Sequence, residues 1–310
     1  MNQATGTSQV SDGRLLCKDC RSKHASCSTQ SSREDGEDRE AVLTGWGQEE
    51  VVRLLQKGHS GINVFLVREA DGRMLARKVR PLSPSGPRLQ LEFELMTSLS
   101  HPNIVRGLSY EQNGEAESIL MEYCQGKDLH SLISCKKLLP EAQAKIHFRA
   151  LMLALGECHG NNIAHLDIKP ENCFIMESGE LKLGDFGFSR RVEGRIQPGA
   201  YGTVCYNSPE IRMQLPFDGK AADIFSSGVL LFKLVAGHLP YRLSSIRSDL
   251  SRLTSDPDTY WKDVETKLER SLYVPVHFSA ELKELLGWML DYMPKRRPSV
   301  GQVQESAWLR

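Results

Sequence analysis

Four polar residues fall in two short runs of this chain: Asp167, Lys169 and Asn172 in IAHLDIKPENCFI, and Asp185 in LKLGDFGFS. Together they supply a proton acceptor, a cation and two oxygen ligands of the kind magnesium prefers. Such a set suits phosphoryl transfer, which asks the protein for positioning and charge neutralisation more than for covalent chemistry. Two earlier features would serve the same chemistry. In KGHSGINV, Gly58 and Gly61 lack side chains, so backbone amides there can approach phosphate oxygens. In LARKV, Lys78 lies seventeen residues after Gly61, and Glu92 follows as an ion-pair partner. Taken singly, each feature has a plainer reading. Glycine-rich hairpins mostly just turn, a lone Lys-Glu pair is usually a solvated surface feature, and an isolated acidic residue is more often a surface charge or a helix cap.

The elements that must hold these residues follow from the hydrophobic pattern. VVRLLQK, NVFLVREA and RMLARKV read as three antiparallel strands, the last two joined by a two-residue Asp71-Gly72 turn. Residues 88–100 carry Leu89, Leu91, Leu95, Met96 and Leu99 near helical spacing and stop before His101-Pro102. Short strands around 105–110 and 118–122 complete a small sheet with one helix. Beyond Gln125-Gly126 the chain turns helical. Pro140 opens a helix from Glu141 to about His159, whose stripe of Ile146, Ala150, Leu151, Ala154, Leu155 and Cys158 should face a core. Further helices are expected near 221–236, ended by Gly237, near 280–291 and near 300–309. Trp308 reads as core packing. The order implies an α+β protein: a small β-rich lobe over about 46–123 and a larger helical lobe over about 125–310, hinged near residue 124.

Residues 1–45 are rich in Ser, Thr, Gln, Gly and charge, and read as a disordered tail. Within it Cys17, Cys20, His24 and Cys27 are metal-type ligands, but their spacing is short for a four-ligand zinc site, and a plain tail is the preferred reading. Lys+Arg and Asp+Glu balance at 39 each, so no bulk attraction to nucleic acid or to a membrane surface is expected. There is no long apolar run and no signal-peptide layout at the N-terminus, so the expected location is intracellular, cytoplasmic or nuclear. Of eight cysteines, five fall in apparent core elements and read as reduced thiols.

From about Val51 to Arg310 the chain resembles the protein kinase family, of the serine/threonine type and in a form with HLD in place of HRD. The likeness runs on through Ser208-Pro209-Glu210, through ADIFSSG with Asp223 and Gly228, and through PKRRPS with Arg297. It implies a two-lobed kinase fold that uses ATP and Mg. By the resemblance, Lys78 contacts the α- and β-phosphates and is held by Glu92, while Asn172 and Asp185 bind magnesium. Asp167 accepts the substrate hydroxyl's proton and Lys169 steadies the γ-phosphate. Met121 matches the gatekeeper and Glu122 to Cys124 the adenine-binding hinge; Gly58, Gly61, Ala76 and Phe174 complete the ATP-binding set. Asp223 and the Glu210–Arg297 pair match structural positions. Lys169 and Thr203 imply protein substrates with Ser/Thr acceptors. Asp128 and Glu171 match carboxylates that bind an upstream arginine, but Lys233 falls where a further carboxylate is common, so the recognition motif stays open. The alternative reading is a catalytically weak or dead kinase fold that acts as a binding scaffold.

Four positions depart from the family pattern. Gln56 replaces the first phosphate-loop glycine, and Asn63 replaces the valine that covers adenine; losing one buried apolar face of roughly 1.5–3 kcal/mol implies ATP binding about tenfold or more weaker than usual. Gly107 stands where a bulky apolar residue is common between helix and strand. Leu166 replaces the arginine that anchors a phosphorylated activation loop, and the loop offers only Ser189 and Tyr201 as acceptors, so activity without loop phosphorylation is expected. The opposite reading has Leu166 merely packed under the loop, with Arg190, Arg191 or Arg195 anchoring the phosphate.

Overall fold

The computed structural model describes residues 46, 49–58, 61–82, 89–273 and 276–310. The tail expected over 1–45, with Cys17, Cys20, His24 and Cys27, lies outside them. The small lobe is an antiparallel sheet of five strands, β1 (Glu50–Lys57), β2 (Asn63–Arg68), β3 (Met74–Pro81), β4 (Gly107–Gln112) and β5 (Ala116–Glu122), in the order β1-β2-β3-β5-β4. The central β3 is buried on both faces through most of its length, as its run of Leu75, Ala76 and Val79 dictates. The β2–β3 connection is not the expected two-residue turn. The Glu69 N–H donates to the Arg73 carbonyl at 2.9 Å, so three residues, Ala70 to Gly72, make the loop, and Gly72 adopts φ 86°. A glycine in that left-handed conformation suits the bulged three-residue hairpin.

Helix α1 (Leu89–Thr97) packs on β4 and β5 and buries Leu89, Glu92, Leu95 and Met96. Its first N–H, at Leu89, donates to the buried Glu117 carboxylate at 3.0 Å, which ties the helix start to the sheet. Leu91, expected in the core stripe, is 43% exposed: the sheet covers the face of Glu92, Leu95 and Met96, and Leu91 lies beside it.

The larger lobe is helical. Helix α2 (Leu129–Lys136) is capped by Asp128, whose Oδ1 accepts from the Ser131 N–H at 2.6 Å. Helix α3 (Glu141–Gly160) buries Ala144, Phe148, Leu151, Met152, Leu155 and Cys158, while Ile146 is 65% exposed and corrects the expected stripe. At 100° per residue Ile146 falls on the outward face with Leu153, one heptad on. Two short two-stranded sheets follow, β6 (Ile163–Ala164) pairing with β9 (Arg190–Arg191) and, between them in sequence, β7 (Cys173–Ile175) pairing with β8 (Leu181–Leu183). After α4 (Pro209–Arg212) comes α5 (Gly219–Ala236), buried nearly all round, capped by Asp218 and ended by Gly237 at φ 73°.

Helices α6 (Ile246–Ser255) and α7 (Pro257–Leu272) were not expected, nor was α2. The first two are predominantly polar and bury only Leu250 and Leu253, and Tyr260, Trp261, Val264 and Leu268. Helix α8 (Ala280–Met289) is as expected, whereas α9 (Val300–Gln304) is shorter than the 300–309 expected, despite its capping box between Ser299 and Gln302. Trp308 lies just past it, buried, its edge on Phe148 and its indole N–H donating to Glu141 Oε2 at 3.0 Å. Three of the five described cysteines, Cys124, Cys158 and Cys173, are buried; Cys135 is exposed and Cys205 partly so, which corrects the expectation of five core thiols. Among the described residues no helix is long and apolar enough to cross a membrane.

Candidate active site

The cleft face of the helical lobe is fixed from beneath by Asp223 on α5. Its Oδ2 accepts from the His165 N–H at 2.8 Å, and its Oδ1 from the Leu166 N–H at 2.7 Å; His159 Nε2 lies 3.0 Å from Oδ2. Two backbone donors are thereby satisfied by one buried carboxylate, and Leu166 is held at φ 64°, a conformation that costs a non-glycine residue energy and persists only when its surroundings impose it. The next residue is Asp167, so the carboxylate of Asp223 determines how Asp167 is presented.

Asp167 Oδ2 accepts from Lys169 Nζ at 2.7 Å and from Asn172 Nδ2 at 3.0 Å. Its Oδ1 accepts from Thr203 Oγ1 at 2.9 Å, and Lys169 Nζ also donates to Thr203 Oγ1 at 2.9 Å. Thr203 reaches this position through Gly202 at φ 50°, where a Cβ would come within 2.3 Å of the Leu166 carbonyl. Asp167, Lys169, Asn172 and Thr203, spread over 37 residues of sequence, thus form one network.

Across the cleft, Lys78 Nζ lies 2.8 and 2.9 Å from the two Glu92 oxygens and 2.8 Å from Asp185 Oδ1. Burial would lower the pKa of Lys78, but the Asp185 and Glu92 carboxylates outweigh it and hold the pKa above the usual lysine value. The Lys78 ammonium in turn depresses Asp185 to about 2 against the opposing effect of burial. Burial pushes Glu92 upward, with Lys78 opposing. Asp185 adopts φ 60° and is 38% exposed to the cleft, so its second oxygen stays available. His165, 0% exposed, places its ring edge-on to Phe186 with centroids 4.9 Å apart and a ring nitrogen 3.1 Å from the Gly184 carbonyl. It was not among the residues singled out from sequence, although its place two residues before Asp167 was the available signal.

The donor set fits magnesium. Asn172 uses its Nδ2 on Asp167, which leaves its amide oxygen, and the Asn172 carbonyl accepts from the Gly184 N–H at 3.0 Å, next to Asp185. Among the described residues no group of three or more His, Cys, Asp or Glu could hold a metal alone. One carboxylate and one amide oxygen suit an ion that keeps waters and shares phosphate oxygens.

At the sheet edge of the cleft, Ala76 on β3 pairs with Met121 on β5, and Met121 pairs on its other edge with Gly107. The Glu122 carboxylate is engaged by Lys182 at 3.0 Å and by the Arg106 N–H at 2.6 Å. After Glu122 the ladder ends, and the Cys124 N–H has no partner among the described residues. Burial pushes the Cys124 thiol up to about 12, so it is a packing group rather than a nucleophile. The Phe174 ring lies where a Cβ on Gly184 would come within 2.9 Å. Gly58 closes the β1–β2 turn through its N–H to the Ile62 carbonyl at 2.7 Å, and Gly61 takes φ 77°.

Two expectations about the following loop are modified. Ser189, expected as an acceptor, is 0% exposed and donates to the His165 carbonyl at 3.1 Å. Leu166 sits in an apolar cluster with Ala164, Ile211, Phe217 and Ala222. Below it, Arg297 grips Glu210 in a two-pronged pair at 2.6 and 2.9 Å.

The protein kinase domain profile matches residues 50–309. Among curated proteins, the chain is 30% identical to sperm motility kinase 3A of Mus musculus over 223 residues, 72% of this chain and 42% of that protein. It is 34% identical to CBL-interacting protein kinase 28 of Oryza sativa subsp. japonica over 229 residues, 72% of this chain and 49% of that protein. With sperm motility kinase 2B of Mus musculus the identity is 31% over 262 residues, 83% of this chain and 51% of that protein. The chain therefore spans about half the length of these relatives, or less.

Proposed function

Given that the chain belongs to the protein kinase domain family, we propose that it transfers the γ-phosphate of ATP to serine or threonine hydroxyls of proteins, with its kinase domain over residues 46–310. The observation that carries this reading is the Asp167 carboxylate, shared among Lys169, Asn172 and Thr203 within hydrogen-bond distance.

In this reading Asp167 orients the incoming hydroxyl and takes its proton as the oxygen bonds to the γ-phosphorus and ADP departs. Lys169, bridging Asp167 and Thr203, holds a positive charge where the transferred phosphoryl group redistributes its negative charge. Lys78, kept cationic by Glu92, binds the α- and β-phosphates. Asn172 and Asp185 would hold magnesium, which when bound neutralises phosphate charge. Strand β3 and the Met121–Cys124 segment receive adenine. Threonine at 203, on the base itself, favours an aliphatic hydroxyl as acceptor.

The experiment is label transfer from ATP to a mixture of protein acceptors, by wild type and by Asp185→Ala, followed by identification of the modified side chains. Phosphoserine and phosphothreonine made by wild type alone support the reading. No labelling by either protein points instead to a binding scaffold, and equal labelling by the two contradicts the role given to Asp185.

A further inference from the structure

Beside the proposed site, β9 and the loop after it form an open depression of about 290 Å³ lined by Arg190, Arg191, Glu193, Arg195, Ile196 and Tyr201. Three arginines line it against one glutamate. None of the three has an ion-pair partner among the described residues. Arg190 Nη1 donates to the Ser189 carbonyl at 2.7 Å and its guanidinium lies over the Tyr201 ring at 5.8 Å; Arg195 Nη1 reaches only the Pro216 carbonyl, at 3.5 Å. Arg191 and Arg195 are exposed. Clustered guanidiniums repel one another, and their planar forks match the paired oxygens of a carboxylate or phosphate. The arrangement is therefore complementary to an anion.

Its position relates it to the acceptor rather than to the nucleotide. Arg190 pairs with Ala164, which immediately precedes His165–Asp167, and Tyr201 is two residues before Thr203, the hydroxyl that bonds to Asp167. A separate cation lies near the same threonine. Lys233 Nζ donates to the Tyr206 hydroxyl at 3.0 Å and has no carboxylate partner among the described residues, and the Tyr206 N–H donates to the Thr203 carbonyl at 2.9 Å. Of the carboxylates that could have received a basic substrate, Asp128 caps α2 through one oxygen, while Glu171 Oε1 lies 3.0 Å from His130 Nδ1 and its Oε2 has no hydrogen-bond partner among the described residues.

We propose that the arginine-lined depression binds an anionic side chain of the protein substrate, a carboxylate or an already installed phosphate, so that acceptors lie in acidic or previously phosphorylated sequence. This rests on the transferase reading above and narrows its substrate class. Lys233 adds to the same preference.

The test is fluorescence anisotropy on the full chain with four labelled peptides of one length, flanking the acceptor serine with neutral residues, glutamates, a phosphoserine or arginines, with phosphate transfer measured in parallel. The glutamate or phosphoserine peptide should bind about tenfold tighter than the arginine peptide, with an advantage that shrinks as salt rises, and comparing the two anionic peptides distinguishes carboxylate from phosphate. In Arg191→Ala/Arg195→Ala that ratio should fall by about threefold or more, and in Arg191→Glu/Arg195→Glu it should reverse, with melting curves as the folding control. Binding that is indifferent to peptide charge, or a ratio untouched by both variants, overturns the inference. So does a purified protein whose depression is occupied by phosphate on its own Tyr201 while acidic peptides gain nothing. Charge-selective binding without phosphate transfer would support the inference and contradict the transferase reading, whereas transfer with charge-blind binding would do the reverse.

Discussion

Phe93 occupies the space that Gly107 leaves open: a Cβ on Gly107 would lie 3.3 Å from two atoms of the Phe93 ring, which also stacks on Tyr110 with centroids 6.2 Å apart. Phe93 is the residue after Glu92, so this contact ties the helix that carries Glu92 to the strand beside Met121. The bulky group missing from the strand is supplied from the helix. Phe93→Ala should cost about 2–3 kcal/mol, at or below the low end for a buried aromatic because the ring is only partly buried, and should lower turnover by loosening Glu92 from Lys78. Gly107→Leu alone should also lower turnover, by crowding the ring. In the Phe93→Ala background the same leucine should recover part of both losses. Additive losses in the double variant, by melting and by initial rate, would show that the two residues do not share this space.

Asp223 carries two backbone N–H groups that nothing else satisfies. Asp223→Ala should therefore destabilise the domain by roughly 3–5 kcal/mol, since it strands buried donors and releases the imposed conformation of Leu166. At about 2–4 °C per kcal/mol, the melting temperature should fall by on the order of 10 °C. A shift of a degree or two in differential scanning fluorimetry would show that the turn holds itself.

Lys78 and Asp185 are arranged to stay charged at ordinary pH. Asp185 is depressed from 3.8 to about 2, so the stability it contributes is fully present above 3.8 and is lost only as the pH falls toward 2. Lys78 is raised above 10.5, so its contribution is fully present below 10.5 and is lost only as the pH climbs through its higher folded value. The affinity for magnesium-ATP should accordingly vary by less than about threefold between roughly pH 7.5 and 9.5. Isothermal titration across that window gives the answer; a steep decline with rising pH would mean that Lys78 deprotonates there.

Much of this arrangement was legible in the sequence, and the parts that were not have separate causes. The sheet, α1, α3 and α5 announce themselves through apolar periodicity, and the Lys78–Glu92 pairing and the Asp167 network follow once the motifs are in register. Helices α6 and α7 are amphipathic, with Leu250 and Leu253, and Tyr260, Trp261, Val264 and Leu268, at helical spacing; the period was present, but the segment is polar overall and few apolar residues mark it. Ile146 and Leu91 show the converse failure: an apolar residue near the right spacing still points outward when the neighbouring element does not reach its face. Phe93 was hidden because its role depends on the absence of a side chain at Gly107, a relation between elements that no local pattern records. The tail, including Cys17 to Cys27, lies outside the described residues.

Loop phosphorylation is not expected to control this domain through Ser189. That hydroxyl is buried against the His165 carbonyl, and Leu166 fills an apolar cluster where an anchoring cation would have to stand. Phosphatase-treated protein should keep its turnover, and peptide mapping should find no phosphate on Ser189. Leu166→Arg should destabilise by about 3 kcal/mol or more, because it forces a charge among Ala164, Ile211 and Phe217 without a partner. Recovery of activity only after rephosphorylation at Ser189, or a stable Leu166→Arg protein, would contradict this account.

The most direct measurement is the initial rate of phosphate transfer to a protein acceptor by wild type, Lys78→Met and Asp167→Asn, each with its melting curve. Both substitutions remove contacts made to the reacting groups and leave the apolar core intact, so turnover should fall by about two orders of magnitude or more in each while the fold persists. Near wild-type turnover in either folded variant would contradict the assignment of phosphoryl transfer to this cleft.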